Sequence, residues 1–168
     1  MAFEPSALTY AILVQNVELN NFEDILKTFN VALNDETKVD KLYCPTMISG
    51  DAPGHVFAES PSNAVENVLH NAPNVFGQNT IGFALDDIVE QFGLEPPNHI
   101  KIDVDGIENR IIRGAKKTIS NRRVKSLSIE VYQSWRDGEY RDGIFRDLKE
   151  VGFHFIEERR NCVFRRLS

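Results

Sequence analysis

Residues 99–131 constrain the fold of this 168-residue chain more than any other stretch. They read HIKIDV, then a short turn, DGIE, then a helical pattern over Ile107–Ser120, then a second apolar segment, VKSLSIEV, over Val124–Val131. In His99–Val104, Ile100 and Ile102 face one way and Lys101 and Asp103 the other, the period of two that marks a strand. Gly106 permits the tight turn into the helix. Two apolar strands joined through a helix predict a parallel crossover unit.

The flanking sequence extends this pattern. Ser6 caps a predicted helix running to about Leu19, and the Asn20-Asn21 pair stops it. Leu8, Ile12 and Leu19 lie close to one face. Ile25–Leu33 reads as a strand and Val39–Cys44 as a second, more exposed one. Ile81–Leu85 is strand-like, Asp86-Asp87 opens a helix, and Gly93 ends it. Gly143–Val151 reads as a helix stopped by Gly152. Phe153–Glu158 and Asn161–Arg166 read as a closing hairpin turned near Arg159–Arg160. Between these lies Pro45–Asn79, rich in Pro, Gly, Ser and Asn, with one helix candidate, Ser62–His70. A stretch that long suits a substrate lid or a surface insertion. The alternation predicts a single α/β domain over residues 1–168, a mostly parallel sheet with helices on both faces and a terminal antiparallel hairpin.

No apolar run approaches the ~20 residues of a membrane span, and the longest near the N-terminus, Ala11–Val14, is too short for a signal-peptide core and has no basic flank. Cytoplasmic residence is the expectation. Cys44 and Cys162 make no disulfide framework and no C-x-x-C zinc pair. His55, His70, His99 and His154 show no metal-ligand spacing, so no metal is expected. Residues 1–99 hold 14 acids and 3 bases, residues 100–168 hold 11 acids and 16 bases. The basic half has little aromatic interleaving, which argues against nucleic acid. The cluster from Arg110 to Lys125 reads first as a solvated helix face, and second as a patch for an anionic substrate such as a phosphorylated sugar.

Ligands of open parallel sheets bind beyond the carboxyl ends of the strands, so polar residues just past each strand carry the functional expectation. Glu4 follows a short strand at Ala2-Phe3 and suits the paired hydroxyls of a ribose. Asp103 ends the HIKI strand, where a carboxylate can hold a substrate hydroxyl or a cofactor ammonium group, or accept a proton. Asp105 and Glu108 sit at the next helix start, where acids are favoured by the helix dipole. Glu130, among apolar neighbours, is expected in a buried or cleft position and needs partners there. Tyr132 and Trp135 follow it and suit either a pocket wall or the core. Asp103-Val104-Asp105 also spells the short D-x-D pattern of some metal-dependent transferases.

HIKIDVDGIENRIIRGAKKTI followed by VKSLSIEVY resembles the FkbM methyltransferase family. Asp103, Gly106, Glu108, Gly114, Ala115 and Glu130 match its pattern in order and spacing, with Asp105 in place of the more usual Glu. FEP at 3–5, NVALND at 30–35 and LDD at 85–87 resemble further family positions, with Ala84 where Thr is usual. The resemblance implies a Rossmann-like fold and an S-adenosylmethionine-dependent methyltransferase acting on a hydroxyl of a sugar or another natural product. It implies Glu4 on the cofactor ribose, Ala32 and Leu33 flanking the adenine, and Asp103 beside the methionine end. Asp103, Glu108 and Glu130 are the catalytic candidates. The family's first strand, glycine-rich turn and helix have no counterpart before FEP. The expectation is therefore a partial domain, with a homo-oligomer forming through the exposed sheet gap. The alternative is a methyltransferase-fold remnant serving as a binding or assembly module.

Overall fold

The computed structural model describes residues 1–45, 55–58, 75–131 and 138–167. The helix expected at Ser62–His70, the side chains of Tyr132 and Trp135, and most of Pro45–Asn79 lie outside the described residues. The chain divides into two compact units, Met1–Leu33 with Thr37–Phe83, and Asn34–Glu36 with Ala84–Ser168.

In the first unit, β1 (Ala2–Phe3) pairs in parallel with β2 (Thr28–Phe29), in the register Ala2↔Thr28 and Phe3↔Phe29. Phe3 stacks on Phe29 with ring centroids 5.1 Å apart. Helix α1 (Ala7–Leu19) lies between them in sequence, and the Ser6 hydroxyl accepts from the Thr9 N–H as expected of its cap. Asn20 and Asn21 end it, Asn21 at φ +55°. The expected strand Ile25–Leu33 is instead two short pieces, β2 and β3 (Ala32–Asn34). Ile25 and Leu26 are drawn into a turn, each donating to the Phe22 carbonyl, and Ile25 is exposed.

A four-stranded sheet runs in the order β3, β6 (Phe76–Ala84), β4 (Lys38–Cys44), β5 (Val56–Ala58). Strand β4 is antiparallel to both β5 and β6, with register Lys38↔Gly82 through Cys44↔Phe76. The expectation of a mostly parallel sheet is thus corrected: the sheets are mixed. Leu42, Tyr43, Val56, Phe57 and Ala58 form the buried core here.

The second unit holds the sheet β7 (His99–Ile102), β8 (Ser126–Ile129), β10 (Cys162–Arg166), β9 (Phe153–Glu158), in that order. Strands β7 and β8 are parallel, and β10 is antiparallel to both β8 and β9, as the predicted crossover and hairpin require. Helix α2 (Leu85–Gln91) precedes β7, and α5 (Gly138–Glu150) starts earlier than its apolar pattern suggests. The core gathers Leu127, Ile129, Ile144, Leu148, Phe153 and Phe164.

The single helix expected over Ile107–Ser120 is broken into α3 (Glu108–Gly114) and α4 (Lys116–Ser120). The break frees amides that Asp86 then takes: its carboxylate accepts from Lys117 N–H at 2.8 Å and Thr118 N–H at 2.7 Å. Asp86 therefore caps α4, whereas Ala84, the cap position of its own helix, offers no side-chain bond. Arg166 closes the unit's far end. Its guanidinium donates to the carbonyls of Val151, Ile119 and Val124 and lies 4.5 Å from the Phe153 ring centroid.

The basic cluster from Arg110 to Lys125 is largely matched by acids. Arg110 and Arg113 reach Asp35, Lys117 reaches Glu90, and Arg123 reaches Glu95. Partial burial pushes the Asp35 carboxyl up, but hydrogen bonds from Arg113 and Arg110 more than reverse this and hold it below the ordinary range. A depressed folded-state value means that the unfolded chain binds protons more tightly. The stabilisation is then present above the unfolded aspartate value of about 3.9 and is lost as pH falls through the folded value. Asp35→Asn is expected to cost about 1 kcal/mol at neutral pH, since the arginines are partly exposed. Urea midpoints of both proteins should converge as the pH is lowered through that window; a constant gap would contradict the assignment.

Candidate functional site

The register of β7 on β8 assembles the first group of residues. Ile102 pairs with Ile129, so Asp103 and Glu130 emerge together from the carboxyl ends of adjacent parallel strands. The Glu130 N–H donates to the Ile102 carbonyl at 3.0 Å, extending the ladder by one bond. Glu130 is 5% exposed and Asp103 is exposed. The two carboxyl groups are close enough for Glu130 to act on the Asp103 side chain.

Two cations complete the group. Lys101, two residues back on the same face, pairs with Asp103 at 2.5 Å. Arg160, at the tip of the β9–β10 hairpin, reaches Glu130 with its Nε at 3.3 Å. The neighbouring Glu130, then Lys101, hold the Asp103 carboxyl below the usual carboxylate range, against partial burial. The arrangement keeps Asp103 ionised, partly open to solvent and fixed on two sides. Such a group accepts a hydrogen bond from a hydroxyl or an ammonium group.

Glu108 occupies a different place. It is 3% exposed at the first position of α3. Its Oε1 accepts from the Gly106 N–H at 3.2 Å and its Oε2 from the Tyr140 hydroxyl at 2.5 Å. Both oxygens of this expected catalytic acid thus serve the loop that follows β7. Among the described residues, no group of three His, Cys, Asp or Glu side chains is arranged to hold a metal ion, Asp103 and Asp105 included.

The second group lies in the first unit. Glu4 follows the end of β1, the position expected of a ribose acceptor. Its Oε1 accepts from the Ser6 N–H at 2.8 Å, and its own N–H donates to the Phe29 carbonyl. The turn is pinned from outside: Asn30 donates to the Glu4 carbonyl, and Gln78 accepts from the Ala7 N–H and donates to the Pro5 carbonyl. Burial pushes the Glu4 carboxyl up, against the Ser6 bond and the attraction of His55. Burial, then the nearby Glu4, push the Cys44 thiol up as well, so this cysteine is no activated nucleophile. Ala32 is buried in β3 and Leu33 is half-buried.

Sequence reasoning missed Arg160, Tyr140 and Gln78. Lys101 was legible, since a period of two puts it on the face of Asp103. The others act on partners 30 or more positions away, with no local signal to show them.

No helix among the described residues is long and apolar enough to cross a membrane. No curated protein matches the chain. A solved structure does: the methyltransferase FkbM of Methylobacillus flagellatus KT, at 14% identity and a TM-score of 0.56. The match covers 97% of this chain and 35% of that one, so the chain spans about a third of the length of that structure. The likeness shows a shared α/β fold. The family model described as Methyltransferase FkbM domain matches residues 1–161. By that match, the chain belongs to the FkbM methyltransferase family.

Proposed function

We propose that residues 1–168 act as one domain of an S-adenosylmethionine-dependent methyltransferase of Rossmann-like ancestry, methylating a hydroxyl oxygen of a sugar or another natural product. The family supplies the reaction class. The observation that carries the site is the register that sets Asp103 and Glu130 side by side at the carboxyl ends of two parallel strands, where ligands of such sheets bind.

Each group taken by itself has chemistry that suits part of this cofactor. The cofactor supplies a methyl group on a sulfonium, already activated for displacement. Asp103 offers an ionised carboxylate for the ammonium of its methionine end or for the incoming hydroxyl. Glu4 offers a half-buried carboxylate at a parallel strand end for ribose hydroxyls. Leu33, half-buried next to the buried Ala32, offers apolar surface for adenine. A carboxylate held below its usual range is a weak base, so Asp103 orients the hydroxyl and takes its proton late, as the new C–O bond forms. Most of the acceleration then comes from positioning. Glu130, buried and tied to Arg160, keeps Asp103 in place.

Calorimetric titration of the 168-residue chain with S-adenosylmethionine tests the proposal. Binding at about micromolar affinity, or roughly −8 kcal/mol, is expected. No heat of binding at about millimolar ligand, near −4 kcal/mol, would reject it and leave a binding or assembly module as the better reading.

A further inference from the structure

Tyr140 has no place in the chemistry described so far, yet its hydroxyl closes a ring of hydrogen bonds around the loop after β7. It donates to Glu108 Oε2 at 2.5 Å and accepts from the Asn109 N–H at 3.2 Å. Glu108 Oε1 in turn accepts from the Gly106 N–H at 3.2 Å. Gly106 sits at φ +103°, a conformation that leaves the turn few other ways to close. The cap position of α3, Ile107, offers no side-chain bond, so the Tyr140 oxygen satisfies an amide that the helix start would otherwise leave open.

We infer that Tyr140 is a positioning residue: through Glu108 it fixes the Asp103–Ile107 turn and so sets the direction of the Asp103 carboxylate. The inference rests on the reading of Asp103 as the ligand-facing acid. Three features carry it. Glu108 is buried, so its charge must be spent on near neighbours, and Tyr140 and Gly106 are two of them. The contact spans 32 positions, from the start of α5 to the start of α3, so it couples two elements that the local chain does not. The ring begins at Gly106, three residues from Asp103. Phenylalanine at 140 would keep the ring packing and lose both bonds. Glu108 is thereby a brace for the turn, which accounts for its place beside Gly106 better than contact with substrate does.

Two measurements on the full chain decide the matter. In hydrogen–deuterium exchange, Tyr140→Phe is expected to speed exchange in a peptide covering residues 103–109 by about tenfold, the worth of one strong bond, while β8 and β10 stay unchanged. Glu108→Gln should do the same, and the double variant should add little. Unchanged exchange at 103–109, or acceleration spread evenly over the unit, overturns the inference. The second measurement uses S-adenosylmethionine as the probe. Tyr140→Phe is expected to weaken its binding several-fold in the natural chain and to have no effect in an Asp103→Asn background. Equal weakening in both backgrounds, or none in either, overturns the inference. If the natural chain binds no S-adenosylmethionine, the methyltransferase reading fails, and the exchange measurement alone still decides whether Tyr140 holds the turn.

Discussion

Gly114→Ala should lower the melting temperature of the chain by about 10 °C or more. An added Cβ at this position would lie 2.0 Å from the Asn34 carbonyl oxygen, 2.9 Å from its carbon and 3.0 Å from the Asp35 Cα. These are backbone atoms, and they cannot swing aside as a side chain tip would. Asn34 is fully buried, and Asp35 is held by Arg110 and Arg113, so the segment has nowhere to retreat without breaking both ion pairs. Overpacking a tight site commonly costs about 1–3 kcal/mol, and a backbone collision lies at or above the top of that range. Against a total stability of about 5–15 kcal/mol, such a loss is large. Thermal unfolding followed by circular dichroism checks it; a melting temperature within about 2 °C of the natural chain would mean that the close approach does not exist in solution.

Asp103→Asn should give the opposite pattern, with stability intact and function lost. Asparagine keeps the size and can hydrogen-bond Glu130. Lys101, its other partner, is mostly exposed, and losing such a pair costs at most about 1 kcal/mol. The charge that would hold an ammonium group or a hydroxyl is gone, however. Affinity for S-adenosylmethionine should fall by about 2 kcal/mol, roughly thirtyfold, and transfer of a labelled methyl group to a sugar by about a hundredfold or more. A variant that binds and transfers like the natural chain would remove Asp103 from the site.

The parts of the fold legible in the sequence are those whose cause is local. Ser6 caps α1 because its hydroxyl meets an amide three residues on, and Gly93 and Gly152 follow α2 and α5 at positive φ. The alternation in HIKI and SLSI gave the parallel pair, and its register brought Asp103 and Glu130 together. What failed has a distant cause. Residues 76–79 read FGQN and look like a loop, yet they are the start of β6, because β4 supplies partners for the whole length from Gly82 to Phe76. The helix from Ile107 reads as continuous, yet it breaks after Gly114, where Asp86 supplies the next amides with a carboxylate. Glu108 carries the same residue type as Asp103 and Glu130 and looked equally catalytic. Only the positions of Gly106 and Tyr140 show that its oxygens are already engaged.

The strand order of the second unit has a consequence for how the protein is made. Strand β10 lies between β8 and β9, so the last strand of this sheet to be translated is an interior one. Until residues 162–166 leave the ribosome, β8 has one open side and β9 has no neighbour in the sheet. The pairings that complete it are non-local and slow to form. Nascent chains of this unit therefore wait, edges exposed, for residues 162–166. A premature stop just before Cys162 would remove the joint of the sheet rather than a tail. It would produce a chain prone to aggregate during synthesis.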